Sequence, residues 1–232
     1  MKKLIVGNWK CNPSSSKKTE ALFKASDRVN VVVCPPFIFL SEGGAFLKNA
    51  SLGAQDVFWE EGAHTGEISA GQLKGMGVKY VIVGHSERRA MGETDDVVFK
   101  KAEAVVKAGM KVIVCVGESA DIRNQGAEAA ERFVALQVSA VESLISSGKL
   151  IFAYEPIWAI GSGASASAED AAVMARHIRS SCFTDKMMVL YGGSVSSKNA
   201  GEFMGHSDIS GLLVGGASID PKDFSRIIDV NA

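Results

Sequence analysis

The sequence lacks the features that mark nucleic-acid-binding, membrane-spanning or metal-binding proteins. Its 25 basic and 26 acidic side chains leave a net charge of -1, which provides no basic surface for nucleic acid or anionic lipid. No apolar run approaches the length of a membrane span. The four cysteines show no paired spacing of the Cys-x-x-Cys kind, so we expect neither a metal ion nor a cofactor.

The chain also lacks internal repeats, low-complexity tracts and proline-rich linkers, and it contains only five prolines. Met1-Lys2-Lys3 precedes three apolar residues, too few for the core of a signal peptide. Three of the cysteines lie in or beside apolar runs, as free thiols in a reducing compartment do. We therefore expect a single domain over residues 1–232, located in the cytoplasm.

What the sequence does contain is a 47% share of hydrophobic residues, arranged in short runs rich in β-branched side chains. Most of these runs are uninterrupted, which is typical of parallel strands buried on both faces. The eight predicted strands are 3–7, 30–34, 51–54, 80–83, 111–116, 150–154, 188–191 and 209–214.

Segments with helical spacing of apolar residues separate the strands, most clearly at 95–108, 127–146 and 168–179. Thr94 is a suitable N-cap for the first of these helices, and Gly109 is a suitable stop. Regular alternation of strand and helix indicates an α/β protein with a parallel sheet, and eight units fit a closed (β/α)8 barrel. A doubly wound open sheet is the alternative, although it usually has fewer strands per domain.

The surface of the first helix follows from its apolar spacing. Its valines and alanines recur on one face, which is predicted to pack against the sheet. The charged Lys100, Lys101 and Glu103 are predicted to face solvent.

Polar residues follow several predicted strands at the point where each strand ends. Asn8 and Lys10 follow the first strand, His85 follows the fourth, and Glu155 follows the sixth. In a barrel, the carboxyl ends of the strands share one face, where chemistry takes place. A cation, an imidazole and a carboxylate are therefore predicted to converge there, which favours a reaction that abstracts a proton.

The segment after Glu155 is predicted to be a lid. Pro156 ends the strand, and an apolar stretch and a Gly-Ser-Gly hinge follow. Closing such a lid removes the water that would solvate the carboxylate and weaken it as a base. The predicted lid comprises Pro156, Ile157, Trp158, Ala159, Ile160, Gly161, Ser162, Gly163, Ala164, Ser165 and Ala166.

Each polar candidate has an alternative interpretation. Lys10 is either a solvated surface cation or an anchor for an anionic substrate. A helix that starts at Ser86 would disfavour a protonated His85, so this histidine is either structural or a neutral hydrogen-bond donor. Glu87 and Arg88 are either solvated or a pair that orients the lysine.

Two glycine pairs follow the seventh and eighth strands and predict a phosphate site. Gly192-Gly193-Ser194 and Gly215-Gly216 are each predicted to lead directly into a helix. Glycine allows the backbone to approach a ligand closely, and helix N-termini present N–H groups suited to phosphate. Barrels often bind phosphate with these two loops.

Taken together, these motifs resemble the triosephosphate isomerase family. The resemblance covers essentially the whole chain in the same order. It is carried by Asn8-Trp9-Lys10, residues 83–89, Cys115-Val116-Gly117-Glu118, residues 153–163, 191–195 and 213–218. It implies the TIM-barrel fold and the reversible isomerisation of dihydroxyacetone phosphate and D-glyceraldehyde 3-phosphate, a reaction of glycolysis and gluconeogenesis.

The resemblance also implies residue roles. Glu155 would be the base, His85 a neutral electrophile and proton shuttle, and Lys10 the electrostatic stabiliser, with Asn8 and Glu87 as further catalytic residues. The phosphate would be bound by Gly161, Ser194, Gly215 and Gly216. Asn8 and Lys10 would also bind the substrate. Ile160 and Leu213 would form an apolar clamp around the carboxylate.

A homodimer is implied as well, without nucleic-acid or membrane partners. Residues 62–69 resemble the family's protruding loop, so Thr65 would reach Asn8 and Lys10 of the partner subunit with support from Gln55.

Two features depart from the family pattern. Ser162 and Ala164 stand where the hinge usually has threonine and lysine, and the connections near 12–30 and 179–188 are short.

Two other functions fit parts of the pattern. A Schiff-base aldolase would also use a phosphate-binding barrel, but it needs a lysine near the end of the sixth strand, where Glu155 stands. A catalytically silent barrel used as a binding scaffold would have no need of Asn8, Lys10, His85 and Glu155 together.

Overall fold

Eight parallel strands close into a barrel in the computed structural model, which describes residues 3–159 and 166–230. The strands follow chain order around the barrel, and the last pairs with the first, so the open-sheet alternative is wrong. They are β1 (Leu4–Asn8), β2 (Val31–Cys34), β3 (Ser51–Ala54), β4 (Tyr80–Val83), β5 (Lys111–Val116), β6 (Leu150–Tyr154), β7 (Val189–Tyr191) and β8 (Gly211–Val214).

Four of the predicted strands have the predicted bounds, and the other four begin one or two residues later. Lys3, Asn30 and Met188 lie just outside β1, β2 and β7, and β8 begins at Gly211 instead of residue 209. β1 also extends to Asn8, which places this polar side chain on the strand itself.

In the described part of the chain the helices follow the strands, and the last helix comes after β8. They are α1 (Ser16–Ser26), α2 (Leu40–Phe46), α3 (Ala70–Gly75), α4 (Ser86–Ala90), α5 (Asp95–Lys107), α6 (Ala120–Arg123), α7 (Ala127–Ser139), α8 (Ala168–Ser181), α9 (Ala200–Gly205) and α10 (Pro221–Asp229). None of these helices is long and apolar enough to cross a membrane.

Alternate side chains enter two separate hydrophobic layers in every strand except β3, which contributes only to the outer layer. In β5, Ile113 and Cys115 belong to the layer inside the barrel, whereas Val112, Val114 and Val116 belong to the layer between barrel and helices. Both layers are buried, so apolar side chains are favoured at both sets of positions between the strand ends. This explains why the strands appear in the sequence as continuous apolar runs.

The prediction of one helix over 127–146 was wrong. α7 ends at Ser139, and a separate 3₁₀ helix follows at Glu142–Ser147. The Ser139 hydroxyl donates to the Leu136 carbonyl at 2.8 Å, a local bond of the kind that competes with helix continuation. The other two predicted helices are confirmed to within two residues, and Thr94 caps α5 through the Val97 N–H.

Candidate active site

Glu155 lies directly after β6, at the C-terminal end of the barrel. Its backbone N–H donates to the Val116 carbonyl at 2.8 Å, which continues the pairing of β5 with β6. The residue is only 2% exposed, and Oε2 accepts a 2.8 Å hydrogen bond from the Ser86 N–H. Oε1 lies 3.0 Å from His85 Nε2. The carboxylate is therefore held between the first turn of α4 and an imidazole.

The protonation of His85 follows from its position at the start of α4. The residue is the N-cap of this helix, and its Nδ1 accepts the Glu87 N–H at 3.2 Å. An acceptor nitrogen carries no proton, so the ring is neutral and Nε2 bears the hydrogen. That hydrogen points towards Glu155 Oε1. The imidazole is thus arranged as a hydrogen-bond donor into the site.

The backbone around Lys10 is held in an unusual conformation. Lys10 has a φ of 53°, in the left-handed region that few side chains other than Asn or Asp favour. The Asn8 carboxamide oxygen accepts the Lys10 N–H at 3.0 Å, and Gln55 Nε2 donates to the Lys10 carbonyl at 2.9 Å. These two side chains fix the backbone from both sides. The Lys10 ammonium group then reaches Glu87 Oε1 at 2.6 Å.

The predicted pair of Glu87 with Arg88 is wrong. Glu87 turns to Lys10, whereas Arg88 Nε lies 2.8 Å from both Asp56 Oδ2 and Glu93 Oε2. Consecutive residues of a helix point in different directions, so neighbours in sequence do not face each other. Of the two, only Glu87 contacts the Lys10 ammonium group.

The prediction that Lys101 faces solvent is also wrong. Its side chain is almost fully buried, and Nζ lies 2.7 Å from Asp56 Oδ1 and 3.1 Å from Glu93 Oε2. The spacing of Val98, Lys101, Ala102 and Val105 places the lysine within the buried stripe of α5, and this signal could have identified it.

These buried ion pairs support the loop that carries His85. Glu93 Oε1 accepts the Gly84 N–H at 3.1 Å, one residue before the histidine. Burial raises the pKa of the Asp56 carboxyl despite the nearby Lys101. Burial also opposes ionisation of Glu93, but Lys101 and Arg88 together hold its pKa below the usual value. The ionised Glu93 thus holds the end of β4 in place.

Neighbouring atoms pack closely against the backbone and Cγ of Glu155. A Cβ at Gly117 would lie 1.8 Å from the Glu155 carbonyl oxygen, and one at Gly192 would lie 3.0 Å from its Cγ. The thiol of Cys115 is fully buried, and burial followed by the nearby Glu155 carboxylate raises its pKa well above the usual value. Glycine and a neutral thiol are the groups that this space admits.

Glu118 anchors the first turn of the predicted lid, a role that the sequence motif alone did not indicate. Its fully buried Oε1 accepts hydrogen bonds from the Tyr154 hydroxyl at 3.0 Å and from Trp158 Nε1 at 2.9 Å. Its backbone carbonyl accepts the Ile157 N–H at 3.1 Å. Burial, and then the charge of Glu118, raises the pKa of the Tyr154 hydroxyl.

The lid is described only at its two ends. Residues Ile157–Ala159 form a 3₁₀ turn, and the Ser194 hydroxyl donates to the Ala159 carbonyl at 2.8 Å. Ala166 at the far end is buried, and its backbone lies beside the Tyr191 side chain, whose pKa burial raises to about 12. The predicted positions Ile160, Gly161, Ser162, Gly163, Ala164 and Ser165 lie outside the described residues.

The two glycine loops differ from each other. A 3₁₀ helix (Gly216–Ile219) begins directly after Gly215, as predicted, and a Cβ at Gly215 would lie 3.2 Å from Lys10 Cε. After Ser194 the predicted helix does not begin at once, because α9 starts only at Ala200. The Asn199 side chain instead bonds the Ser196 N–H at 2.8 Å and the Ser194 carbonyl at 3.0 Å, which stabilises a turn.

One cavity of about 610 Å³ collects the five predicted catalytic residues together with Ser194, Leu213, Gly215 and Gly216. It is lined by Asn8, Lys10, His85, Glu87, Glu155, Gly192, Gly193, Ser194, Val195, Ser196, Asn199, Leu213, Gly215, Gly216 and Ala217. Gln55 and Thr65 do not line it. Among the described residues no group of three His, Cys, Asp or Glu side chains is placed to hold a metal ion.

Comparison with known proteins identifies the family. The family model described as "Triosephosphate isomerase" matches residues 3–231 of the chain. The chain belongs to the triosephosphate isomerase family. The members of this family are isomerases of the intramolecular oxidoreductase class, and the closed barrel is their TIM-barrel fold.

Curated relatives match the chain over nearly its full length. The triosephosphate isomerase of Alkaliphilus oremlandii is 43% identical over 249 residues, which covers 98% of this chain and 99% of the relative. The triosephosphate isomerase of Thermoanaerobacter sp. is 43% identical over 244 residues, which covers 97% of this chain and 98% of the relative. The triosephosphate isomerase of Aquifex aeolicus is 40% identical over 247 residues, which covers 98% of this chain and 99% of the relative.

Proposed function

We propose that this chain interconverts dihydroxyacetone phosphate and D-glyceraldehyde 3-phosphate through an enediolate. The observation that carries the proposal is the pairing of buried Glu155 with a neutral His85 at 3.0 Å, in a cavity that also contains Lys10. A base, a neutral hydrogen-bond donor and a cation in one cavity are what enolisation of a carbonyl requires. Membership of the family supports the choice of substrate.

The first step is removal of a proton from the carbon next to the carbonyl by Glu155. Both carboxylate oxygens are hydrogen-bonded in the structure, to Ser86 and His85, so the side chain must rotate into the cavity to reach a substrate carbon. The Ser86 N–H and the imidazole keep the ionised carboxylate stable until then.

Negative charge then develops on the substrate oxygens. His85 donates from Nε2 and passes the proton between the two oxygens, because its Nδ1 is committed to the Glu87 N–H. The Lys10 ammonium stabilises the same charge from the other side, and Glu87 positions it through the 2.6 Å contact. Asn8 acts by fixing the backbone of Lys10.

The phosphate binds at the glycine loops. The first N–H groups of the 3₁₀ helix that starts at Gly216 have no partner within the helix and face an anion favourably. Gly215 and Ser194 complete this part of the site, together with Gly161 of the lid. The absence of a side chain at Gly215 leaves room for Lys10 beside the phosphate.

Lid closure supplies the remaining stabilisation. General acid–base catalysis contributes about 10²–10⁴-fold, so water exclusion and preorganised donors must provide much of the acceleration. Leu213 lines the cavity and would meet Ile160 across the carboxylate when the lid closes. An apolar clamp of this kind makes the carboxylate a stronger base.

The test is an assay that couples conversion of glyceraldehyde 3-phosphate to a dehydrogenase acting on the product. Glu155→Gln keeps an oxygen that can accept the Ser86 N–H but removes the base, so we expect kcat to fall by about 10²–10⁴-fold or more. Glu128→Gln, an exposed change on α7, is the matched control and should retain wild-type kcat. Equal rates for the Glu155 variant and the control would overturn the assignment.

We further propose a cytoplasmic homodimer that acts in glycolysis and gluconeogenesis. The loop at 62–69 supports the dimer, since Thr65 is exposed there and its side chain forms no hydrogen bond with residues 3–159 or 166–230. Gln55 donates a hydrogen bond to the Lys10 carbonyl, so a partner subunit that contacts Gln55 would also affect the position of Lys10. Thr65→Arg should shift the sedimentation coefficient from dimer to monomer and lower kcat, whereas Thr184→Arg, on the opposite end of the barrel, should do neither.

The competing functions have less support. A Schiff-base aldolase needs a free amine next to the reacting carbonyl, but Glu155 follows β6, and the Lys10 ammonium is paired with Glu87. A binding scaffold would not need a buried carboxylate beside an imidazole proton.

A further inference from the structure

A second large cavity lies at the opposite end of the barrel from Glu155. This basal groove has a volume of about 650 Å³ and runs along the N-terminal ends of β5, β6 and β7. The 3₁₀ helix Glu142–Ser147 forms one wall, and the connection at 182–188 between α8 and β7 forms the other. Its volume is within the range of about 300–1,000 Å³ that is usual for small-molecule sites.

The floor of the basal groove is apolar and adaptable. Leu150, Cys182 and Met187 are buried there, and Ile145 and Met188 are partly exposed. Methionine side chains are flexible and polarisable, so they adjust to apolar ligands of different shape. The groove is therefore suited to an aliphatic or aromatic body.

Phe183 stands at the rim in a conformation that needs an explanation. Its φ of 52° is in the left-handed region, which is rare for a bulky side chain, and 86% of the residue is exposed. Residues held in such conformations cluster at ligand clamps and other functional sites. The strained backbone holds an unpacked phenyl ring beside the mouth of an apolar groove.

The rim is positively charged. Lys111, Lys149 and Lys186 line the groove, and within the described parts of the chain none of the three forms an ion pair. Lys111 instead lies over the Tyr80 ring, 5.4 Å from its centre. Glu142 is the one acidic residue of the lining. Three lysines against one carboxylate favour an anionic group at the rim.

We propose that the basal groove binds a small anionic amphiphile, which has an apolar body and one carboxylate, sulfonate or phosphate group. The body occupies the floor against Met187 and under Phe183, and the anion meets Lys111 and Lys149. A concave site of this size favours a small molecule over a membrane surface or a peptide. The site is separate from the cavity around Glu155, so occupancy does not require the isomerase reaction.

The test uses 1-anilinonaphthalene-8-sulfonate, a fluorescent anion with an apolar body, with the full chain. We expect saturable binding at one site per chain. The double variant Lys111→Gln, Lys149→Gln should bind roughly fivefold more weakly or worse. The matched double variant Lys17→Gln, Lys18→Gln, which removes two exposed lysines of α1, should bind as the wild type does.

Two further measurements define the ligand class. Phe183→Gly relieves the left-handed backbone and removes an exposed side chain, so the variant should keep the fold by circular dichroism and bind the probe more weakly. N-phenyl-1-naphthylamine, a neutral probe of similar shape, should bind much more weakly than the sulfonate.

Three outcomes would overturn the proposal. The first is that the sulfonate binds the wild type and the Lys111, Lys149 double variant with equal affinity. The second is that the wild type binds the neutral and the anionic probe with equal affinity. The third is that the chain sediments with phosphatidylglycerol vesicles in a lysine-dependent way but shows no saturable binding of the probe. The last outcome would assign the rim to a lipid surface instead.

Discussion

Lys149 and Glu155 flank the two ends of β6, one residue before it and one residue after it, yet their surroundings are opposite. Glu155 is 2% exposed and hydrogen-bonded to a main-chain N–H and an imidazole. Lys149 is partly exposed and forms no ion pair with the described residues. The same strand thus ends in a buried, preorganised charge on one side and a solvated charge on the other.

The direction of the helices explains this difference. Each helix of the barrel starts at the end where the preceding strand stops, so helix N-termini meet the C-terminal ends of the strands. At that end α4 presents the Ser86 N–H, which stabilises a buried carboxylate. The other end receives helix C-termini, which offer no N–H donors to an anion. The C-terminal ends of the strands therefore stabilise a buried carboxylate such as that of Glu155 better than the opposite end does.

The largest expected effect comes from glycines that touch the backbone of a neighbouring strand at each end. A Cβ added at Gly117 would lie 1.8 Å from the Glu155 carbonyl oxygen, and a Cβ added at Gly211 would lie 1.9 Å from the Leu4 carbonyl oxygen. We expect either alanine variant to lower the free energy of unfolding by about 3 kcal/mol or more in urea titrations. Only Gly117→Ala should also lower kcat of the folded fraction, because it displaces Glu155.

Gly75→Ala is the control for both variants, since no atom lies within 4 Å of the added Cβ. A Gly211→Ala enzyme with reduced kcat at full folding would show that the two ends are mechanically coupled, and the contrast between them would fail.

The second comparison concerns lysines. Lys101→Met leaves the carboxylates of Asp56 and Glu93 without their buried cation, so we expect a loss of about 3–5 kcal/mol in the free energy of unfolding. Lys149→Met removes a charge that has no ion-pair partner among the described residues, and it should change the free energy of unfolding by about 0.5 kcal/mol or less. Urea unfolding of both variants measures the difference, and similar losses would mean that the Lys101 network contributes little.

The smallest effect is expected for the reactivity of two buried thiols. Burial, and then the charge of Glu142, raises the pKa of Cys182 to about 11, and burial followed by Glu155 raises that of Cys115 well above its usual value. Cys115 is also fully buried, whereas Cys182 is 4% exposed. The thiolate is the reactive form, so alkylation of Cys182 should increase about tenfold for each pH unit between 8 and 10. Iodoacetamide labelling followed by peptide mass spectrometry should show Cys182 modified and Cys115 unmodified. Faster labelling of Cys115 would contradict the order.

The reliable sequence signals were those that do not depend on contacts between distant segments. Continuous apolar runs predicted the strands because a strand buried on both faces needs apolar residues at every position. The positions of Asn8, His85 and Glu155 at strand ends predicted their convergence, because parallel strands of a barrel share one C-terminal face.

The wrong predictions concern side chains and turns whose partners are distant in sequence or set by local competition. Lys101 was assigned to solvent because a charge is rarely buried, but Asp56 lies 45 residues away and stabilises it. Arg88 was paired with its sequence neighbour, although the fold places two other carboxylates beside it. The late start of α9 depends on the side chain of Asn199, which bonds the preceding loop.

The sequence by itself therefore determined the eight alternating strand and helix units and the set of polar residues at the strand ends, because periodicity and strand ends are local properties. The tertiary structure decided that the sheet closes into a barrel. Only the tertiary structure decided how those residues pair: Glu155 with His85 and Ser86, Lys10 with Glu87, and Glu118 with Trp158. It also revealed the basal groove, whose walls come from segments that only closure of the barrel brings together. Pair distances of this kind depend on how the whole chain packs, which local sequence patterns do not specify.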